Sequence, residues 1–126
     1  MLALVVENNP MAVELLSMRL QTLDCEIVST GDPALVVPLA LQHRPDFILL
    51  DLGLGTGEAA AGVQVLYALR ASEAAHIPTI LHSVFVNKAS DAPLLVEQAD
   101  GILPKPFQFV DLQRLVASIR ELKPVQ

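Results

Sequence analysis

An open α/β fold with a parallel sheet is predicted by three features of this chain. Strand and helix patterns alternate five times, the strand runs are almost wholly apolar, and two of them end on oxygen-bearing side chains. The runs are Leu2-Ala3-Leu4-Val5-Val6, followed by Glu7-Asn8, and Phe47-Ile48-Leu49-Leu50, followed by Asp51. A strand buried on both faces reads as continuous apolar sequence. Open parallel sheets gather their ligands at the carboxyl ends of their strands, so these polar ends are the first candidate site.

Each element has its own signal. A strand over 2–6 leads to Asn9-Pro10, a capping residue followed by a proline at the first helical position. Val13, Leu16, Leu20 and Leu23 then recur at spacings of 3, 4 and 3, which marks one buried helix face. A second strand is expected over 25–29, and Gly31-Asp32-Pro33 repeats the turn, cap and proline signal. The next helix is expected over 35–42, but Pro38 removes an internal N–H and crowds the preceding turn, so this helix should be kinked, shortened or started late. Arg44-Pro45-Asp46 turns the chain into the strand that ends at Asp51, and residues 52–62, rich in Gly and Ala, read as a loop.

Val63, Leu66 and Leu69 place a helix over 63–70. A fourth strand over 78–81 ends near His82-Ser83, Ser90 or Asp91 caps a short helix through Gln98, and Asp100-Gly101 turns into a brief strand over 102–103. Pro104-Lys105-Pro106-Phe107 breaks the chain before the last helix. There Leu112, Leu115, Val116 and Ile119 fall at i, i+3, i+4 and i+7.

Composition narrows the function. A chain of 126 residues, 52% hydrophobic and 17% charged, fits a single domain over 1–126 with no output domain. A net charge of -6 with 8 scattered basic residues leaves no footprint for gripping a phosphate backbone, so direct nucleic-acid binding is not expected. No apolar stretch approaches the roughly 20 residues that span a bilayer, and the start of the chain lacks a secretory signal. The expectation is a soluble cytoplasmic protein without membrane partners. Cys25 is the only cysteine, which rules out an internal disulfide and a thiolate metal cluster and reads as a buried thiol. His43, His76 and His82 lack metal-ligand spacing and read as surface or packing residues.

Three segments together resemble the receiver domains of bacterial two-component response regulators. Leu4-Val5-Val6-Glu7-Asn8 is similar to the family's first strand and acidic corner, and the run from His43 through Asp51 to the approach to its phosphoacceptor aspartate. Ala99-Asp100-Gly101-Ile102-Leu103-Pro104-Lys105-Pro106-Phe107 is similar to the segment with its lysine-proline pair. The resemblance implies a flavodoxin-like three-layer fold, a five-stranded parallel sheet in the order 2-1-3-4-5 with five helices. It casts Asp51 as phosphoacceptor, Ser83 as the hydroxyl that binds a phosphoryl oxygen, and Lys105 as the cation that pairs with it. Magnesium is the implied cofactor, held by Glu7, Asn8, Asp51 and the backbone carbonyl of Gly53. The implied partners are a histidine kinase or phosphotransfer protein, a downstream protein and, through Leu94, Leu95, Ile102 and Pro104, a second copy. The chain would be a phosphoacceptor, catalysing at most its own phosphorylation and dephosphorylation.

Several positions depart from the family pattern. Asn8 stands where the family carries an acid, and an amide brings no charge, so magnesium should bind weakly. The loop after Asp51 is longer than usual and lacks the methionine-proline and aspartate-glycine signals. Ile102 replaces the aromatic residue that many receivers carry, which argues against a serine-tyrosine type switch. Gly53 and Phe85, two residues beyond Asp51 and Ser83, cannot orient a hydrolytic water.

Simpler roles compete at several positions. Asn8 and Asn9 would serve equally as helix caps, Ser83 as a loop hydrogen-bonder, and Glu58 as a solvated loop residue. The alternative function is a pseudo-receiver, a phosphorylation-independent interaction or dimerisation module. An enzyme or flavin carrier on this fold ranks last, since the chain has one tyrosine, no tryptophan and no Ser/Thr/Gly-rich phosphate loop after 2–6.

Overall fold

The computed structural model describes residues 1–52, 59–82 and 99–122. The expected helix through Gln98, with Leu94 and Leu95, lies outside these residues, as do Gly53, Glu58, Ser83, the loop 84–89 and Phe85 within it. Strands β1 (Leu2–Val6), β2 (Glu26–Thr30), β3 (Phe47–Leu50), β4 (Thr79–Leu81) and β5 (Gly101–Ile102) form one parallel sheet in the order β2-β1-β3-β4-β5. This is the flavodoxin-like order expected from the sequence. Helices α1 (Pro10–Gln21), α2 (Val36–His43), α3 (Ala59–Arg70) and α4 (Phe109–Leu122) are the α-helices among the described residues.

Alternation of side chains along each strand divides the core in two. Ala3, Val5, Phe47, Leu49 and Ile80 face Leu16 and Leu20 of α1 and Leu112, Val116 and Ile119 of α4. Leu4, Val6, Ile48, Leu50 and Leu81 face Val36 and Ala40 of α2 and Val65, Leu66 and Leu69 of α3. Each large side chain removed from water in this way contributes roughly 1.5–3 kcal/mol. On the outer surface the guanidinium of Arg19 lies 5.4 Å from the ring centroid of Phe109, and Arg120 donates to the carbonyl of Leu23, which ties α1 to α4.

Helix starts follow the local chemistry. The side chain of Asn9 accepts from the N–H groups of Met11 at 2.9 Å and Ala12 at 3.4 Å. Asp32 accepts from Ala34 at 2.9 Å and opens a 3-10 turn over Pro33–Leu35. That turn delays α2 to Val36, so Pro38 falls in the first helical turn, where a missing N–H costs nothing. Arg44, with φ 48°, closes α2 and donates its N–H to Ala40 at 3.0 Å.

At the opposite end of the sheet, carboxylates accept the first strand donors. Asp46 takes the Leu2 N–H at 2.6 Å, and Asp100 takes the Thr79 N–H at 2.8 Å while pairing with Arg70 at 2.7 Å. Arg70 also donates to the carbonyls of Ala75 and Ile77 and fastens the turn before β4.

Some boundaries differ from the sequence reading. Residues 59–62, expected to be loop, belong to α3, because Ala59-Ala60-Ala61 are the best helix formers. Gly62 is set there by packing: its N–H donates to the carbonyl of Leu52 at 3.1 Å, and an added Cβ would lie 2.6 Å from that oxygen. Strand β2 runs one residue later than expected, and β5 covers Gly101–Ile102 in place of 102–103. Cys25 thus precedes its strand. It is buried, and burial pushes its thiol pKa up.

Helix propensity alone makes Gly62→Ala stabilising by about 1 kcal/mol. The contact with Leu52 reverses the sign, and the expected outcome is a loss of about 1–3 kcal/mol, read as a lower urea midpoint with an unchanged denaturant slope.

Candidate functional site

The chain leaves β1, crosses to β2 and returns past β1 to β3, so the sheet reverses its direction of growth between β1 and β3. That reversal opens a crevice at the strands' carboxyl ends. Register pairs Val6 with Leu50, so the next residues, Glu7 and Asp51, emerge side by side at its rim. Backbone bonds fasten each strand exit to its neighbour. Glu7 donates to Thr30 at 3.0 Å, Asp51 to Val6 at 3.0 Å, His82 to Leu50 at 2.8 Å and Leu103 to Leu81 at 2.7 Å.

Lys105 reaches into this rim from the connection between β5 and α4. Its Nζ lies 2.5 Å from Glu7 Oε2 and 3.4 Å from Asp51 Oδ2, and the Lys105–Pro106 peptide is cis. Glu7 is 3% and Asp51 8% exposed, so both carboxylates need such a partner. The second oxygen of Glu7, Oε1, accepts the N–H of Asn9 at 3.1 Å.

Glu7, Asp51 and Lys105 are thus brought together. Asn8 is adjacent, with its side chain exposed, and Asn9 is the helix cap of the two asparagines. The backbone at Asn8 is held closely: a Cβ on Gly31 would lie 3.0 Å from Asn8 Cα and 3.1 Å from its Cβ. Gly53 and Ser83 lie outside the described residues. Ile102 is half-buried against the core beneath α2 and α3.

The donor set at the rim is one of hard oxygens, two of them carboxylates, which fits magnesium with waters completing its shell. Among the described residues no group of three or more His, Cys, Asp or Glu side chains is placed to hold a metal ion. The neutral Asn8 leaves the corner one charge short of three.

His82, read from sequence as a surface or packing residue, is buried at the exit of β4. Its Nδ1 lies 2.7 Å from the carbonyl of Leu103, and a carbonyl only accepts, so Nδ1 carries the proton. Its ring meets Phe107 edge to face, with centroids 5.5 Å apart. Burial pushes its pKa below the ordinary histidine value; the charge of Lys105 acts in the same direction, and the Leu103 bond and Asp51 oppose it. His82, Lys105, Pro106 and Phe107 form one side of an open groove of about 350 Å³, with Asn9, Ala12, Leu15 and Leu16 on the other. The available sequence signal was position: His82 follows a strand as Glu7 and Asp51 do.

The chain is also similar to known proteins. A family model described as the response regulator receiver domain matches residues 3–119. The transcriptional regulatory protein KdpE of Mycobacterium tuberculosis is 30% identical over 120 residues, covering 94% of this chain and 51% of that protein. The chain thus spans about half the length of that relative. The polar-differentiation response regulator DivK of Brucella anthropi is 25% identical over 118 residues, covering 93% of this chain and 91% of DivK. Among solved structures, the receiver domain of the sensor histidine kinase PA1611 of Pseudomonas aeruginosa, with a magnesium ion in its active site cleft, superposes with a TM-score of 0.77. It is 24% identical, over 93% of this chain and 94% of that one. The signal receiver domain of a Luxo repressor protein from Vibrio parahaemolyticus gives a TM-score of 0.82 at 20% identity, over 95% and 89% of the two chains.

Since the folded state disfavours protonated His82, the unfolded chain binds the extra proton below its ordinary pKa of about 6.5. Stability is therefore full above that pH and falls as pH drops through it. Thermal melts followed by circular dichroism from about pH 7.5 to about pH 5.5 are expected to show a shallower decline for His82→Phe than for wild type. Equal declines would exclude this contribution.

Proposed function

Given that the chain belongs to the response regulator receiver domain family of two-component signalling, we propose that Asp51 accepts a phosphoryl group from a histidine kinase or phosphotransfer protein. The observation that carries this reading is the ammonium of Lys105, held within reach of both Glu7 and Asp51 at the mouth of the crevice.

An Asp51 carboxylate oxygen attacks the phosphorus of a phosphohistidine. The O–P bond forms as the N–P bond breaks, and the histidine nitrogen leaves with the bonding pair. The attacking carboxylate must approach equatorial oxygens that already carry negative charge, and fixed positive charge nearby lowers the barrier. Lys105 supplies that charge by turning from Glu7 toward the phosphoryl group, and the Ser83 hydroxyl binds another phosphoryl oxygen. Glu7, Asn8, Asp51 and the Gly53 carbonyl would hold magnesium, which when bound neutralises the oxygens that Lys105 does not reach.

The receiver domain signals through altered protein binding. Phosphorylation acts by biasing an equilibrium between two states of the receiver that differ in partner affinity. The output face includes an open groove of about 390 Å³ between β5 and α4, lined by Ile102, Pro104, Leu115 and Arg114 among others. A downstream protein or a second copy would seat there. One observation favours the alternative, a pseudo-receiver that binds partners without phosphorylation: the corner beside Glu7 carries the neutral Asn8.

Incubation with phosphoramidate or acetyl phosphate and magnesium is expected to add the mass of one phosphoryl group to wild type and nothing to Asp51→Asn, by intact mass measurement. The adduct should decay slowly, since Gly53 and Phe85 offer no group to orient water. No adduct at saturating donor would favour the pseudo-receiver. In a second test, Asn8→Asp restores the missing charge and is expected to tighten magnesium binding by about tenfold in isothermal calorimetry. Unchanged affinity would show that charge at position 8 is not the limiting feature.

A further inference from the structure

We propose that His82 is a positioning residue for Lys105, clamping both ends of the segment that carries it; this rests on the reading of Lys105 as the cation of phosphoryl transfer. The segment is unusually short of backbone donors, since Pro104 and Pro106 flank Lys105 and neither has an N–H. Lys105 therefore sits on a connection that cannot be fastened through its neighbours' amides.

His82 grips that connection on either side. Its Nδ1–H donates to the carbonyl of Leu103, two residues before Lys105, at 2.7 Å. Its ring packs edge-on against Phe107, two residues after. The imidazole is 3% exposed, so the bond is shielded from competing water. Leu103 is itself buried and Phe107 packs against the same core, which keeps both grips in register with the sheet. The backbone N–H of His82 in turn donates to Leu50, the residue before Asp51, at 2.8 Å. One residue thereby ties the nucleophile's strand to the lysine's loop. A displacement of about 1 Å at such a group costs on the order of a hundredfold in rate when it acts in the transition state.

The substitutions separate the two grips. His82→Asn keeps a donor nitrogen three bonds from Cα, the place of Nδ1, while His82→Phe keeps the ring contact and loses the donor. Rates of phosphorylation are measured against phosphoramidate concentration at fixed magnesium for wild type, His82→Asn and His82→Phe, each also combined with Lys105→Met. His82→Phe is expected to lower the maximal rate about tenfold with little change in the half-saturating donor concentration, and His82→Asn to recover most of it. In the Lys105→Met background His82→Phe should cause no further loss.

Equal slowing in both backgrounds, or no rescue by His82→Asn, overturns the inference. Should His82→Phe not fold, His82→Gln, with its donor one bond too far, replaces it. If wild type takes up no phosphoryl group, the functional reading fails, and the urea midpoints of the same proteins then decide about His82. Non-additive shifts of His82→Phe and Lys105→Met support the clamp, and additive shifts overturn it.

Discussion

Two carboxylates and one ammonium hold the carboxyl-end rim of this sheet together. Removing a carboxylate such as that of Glu7 from water carries a penalty of several kcal/mol that only a well-placed partner offsets. Lys105 is that partner, and the pair joins parts of the chain 98 residues apart. The other oxygen of Glu7 is committed to the amide of Asn9, whose side chain starts α1. The same cluster therefore fixes the exits of β1 and β3, the start of α1 and the path from β5 to α4. Its charges are also the ones a phosphoryl group would redistribute, so the chemistry draws on the interactions that set the geometry.

The two rims of the sheet use acids differently. At the amino ends of the strands Asp46 and Asp100 accept backbone N–H groups, and Asp100 adds the bond to Arg70. Backbone donors cannot be exchanged for another ligand without opening the sheet. At the carboxyl ends the partner is a long flexible side chain, which can swing. The buried carboxylates paired with a side-chain ammonium thus lie at the carboxyl rim, and Ala3-Leu4-Val5-Val6 and Phe47-Ile48-Leu49-Leu50 form the apolar layer between the two rims.

What could be read from sequence depended on how local each cause was. Continuous apolar runs marked β1 and β3, and Asn9, Asp32 and the late start before Pro38 followed from sterics and hydrogen bonding within a few residues. Glu7, Asp51 and Lys105 were found by strand position and family resemblance, and the structure brings them within ion-pair distance. Residues 59–62 read as loop because the stretch 52–62 is rich in Gly and Ala, whereas the reason for Gly62 is a contact with Leu52 ten positions earlier. The role of His82 leaves no local pattern in the sequence, because its partners are a backbone carbonyl 21 residues away and a ring on the next connection.

The close approach of Gly31 to Asn8 bears on how such a site diverges. The fold grips position 8 by its backbone and leaves the side chain in solvent. Amide and carboxylate have nearly the same shape, and the codons for Asn and Asp differ by a single base. The charge of this corner can therefore be lost or regained in one mutational step with no repacking to compensate. Position 8 differs in this from Glu7 and Asp51, whose buried charges face Lys105: here the number of acids can change without removing a partner from that ion pair.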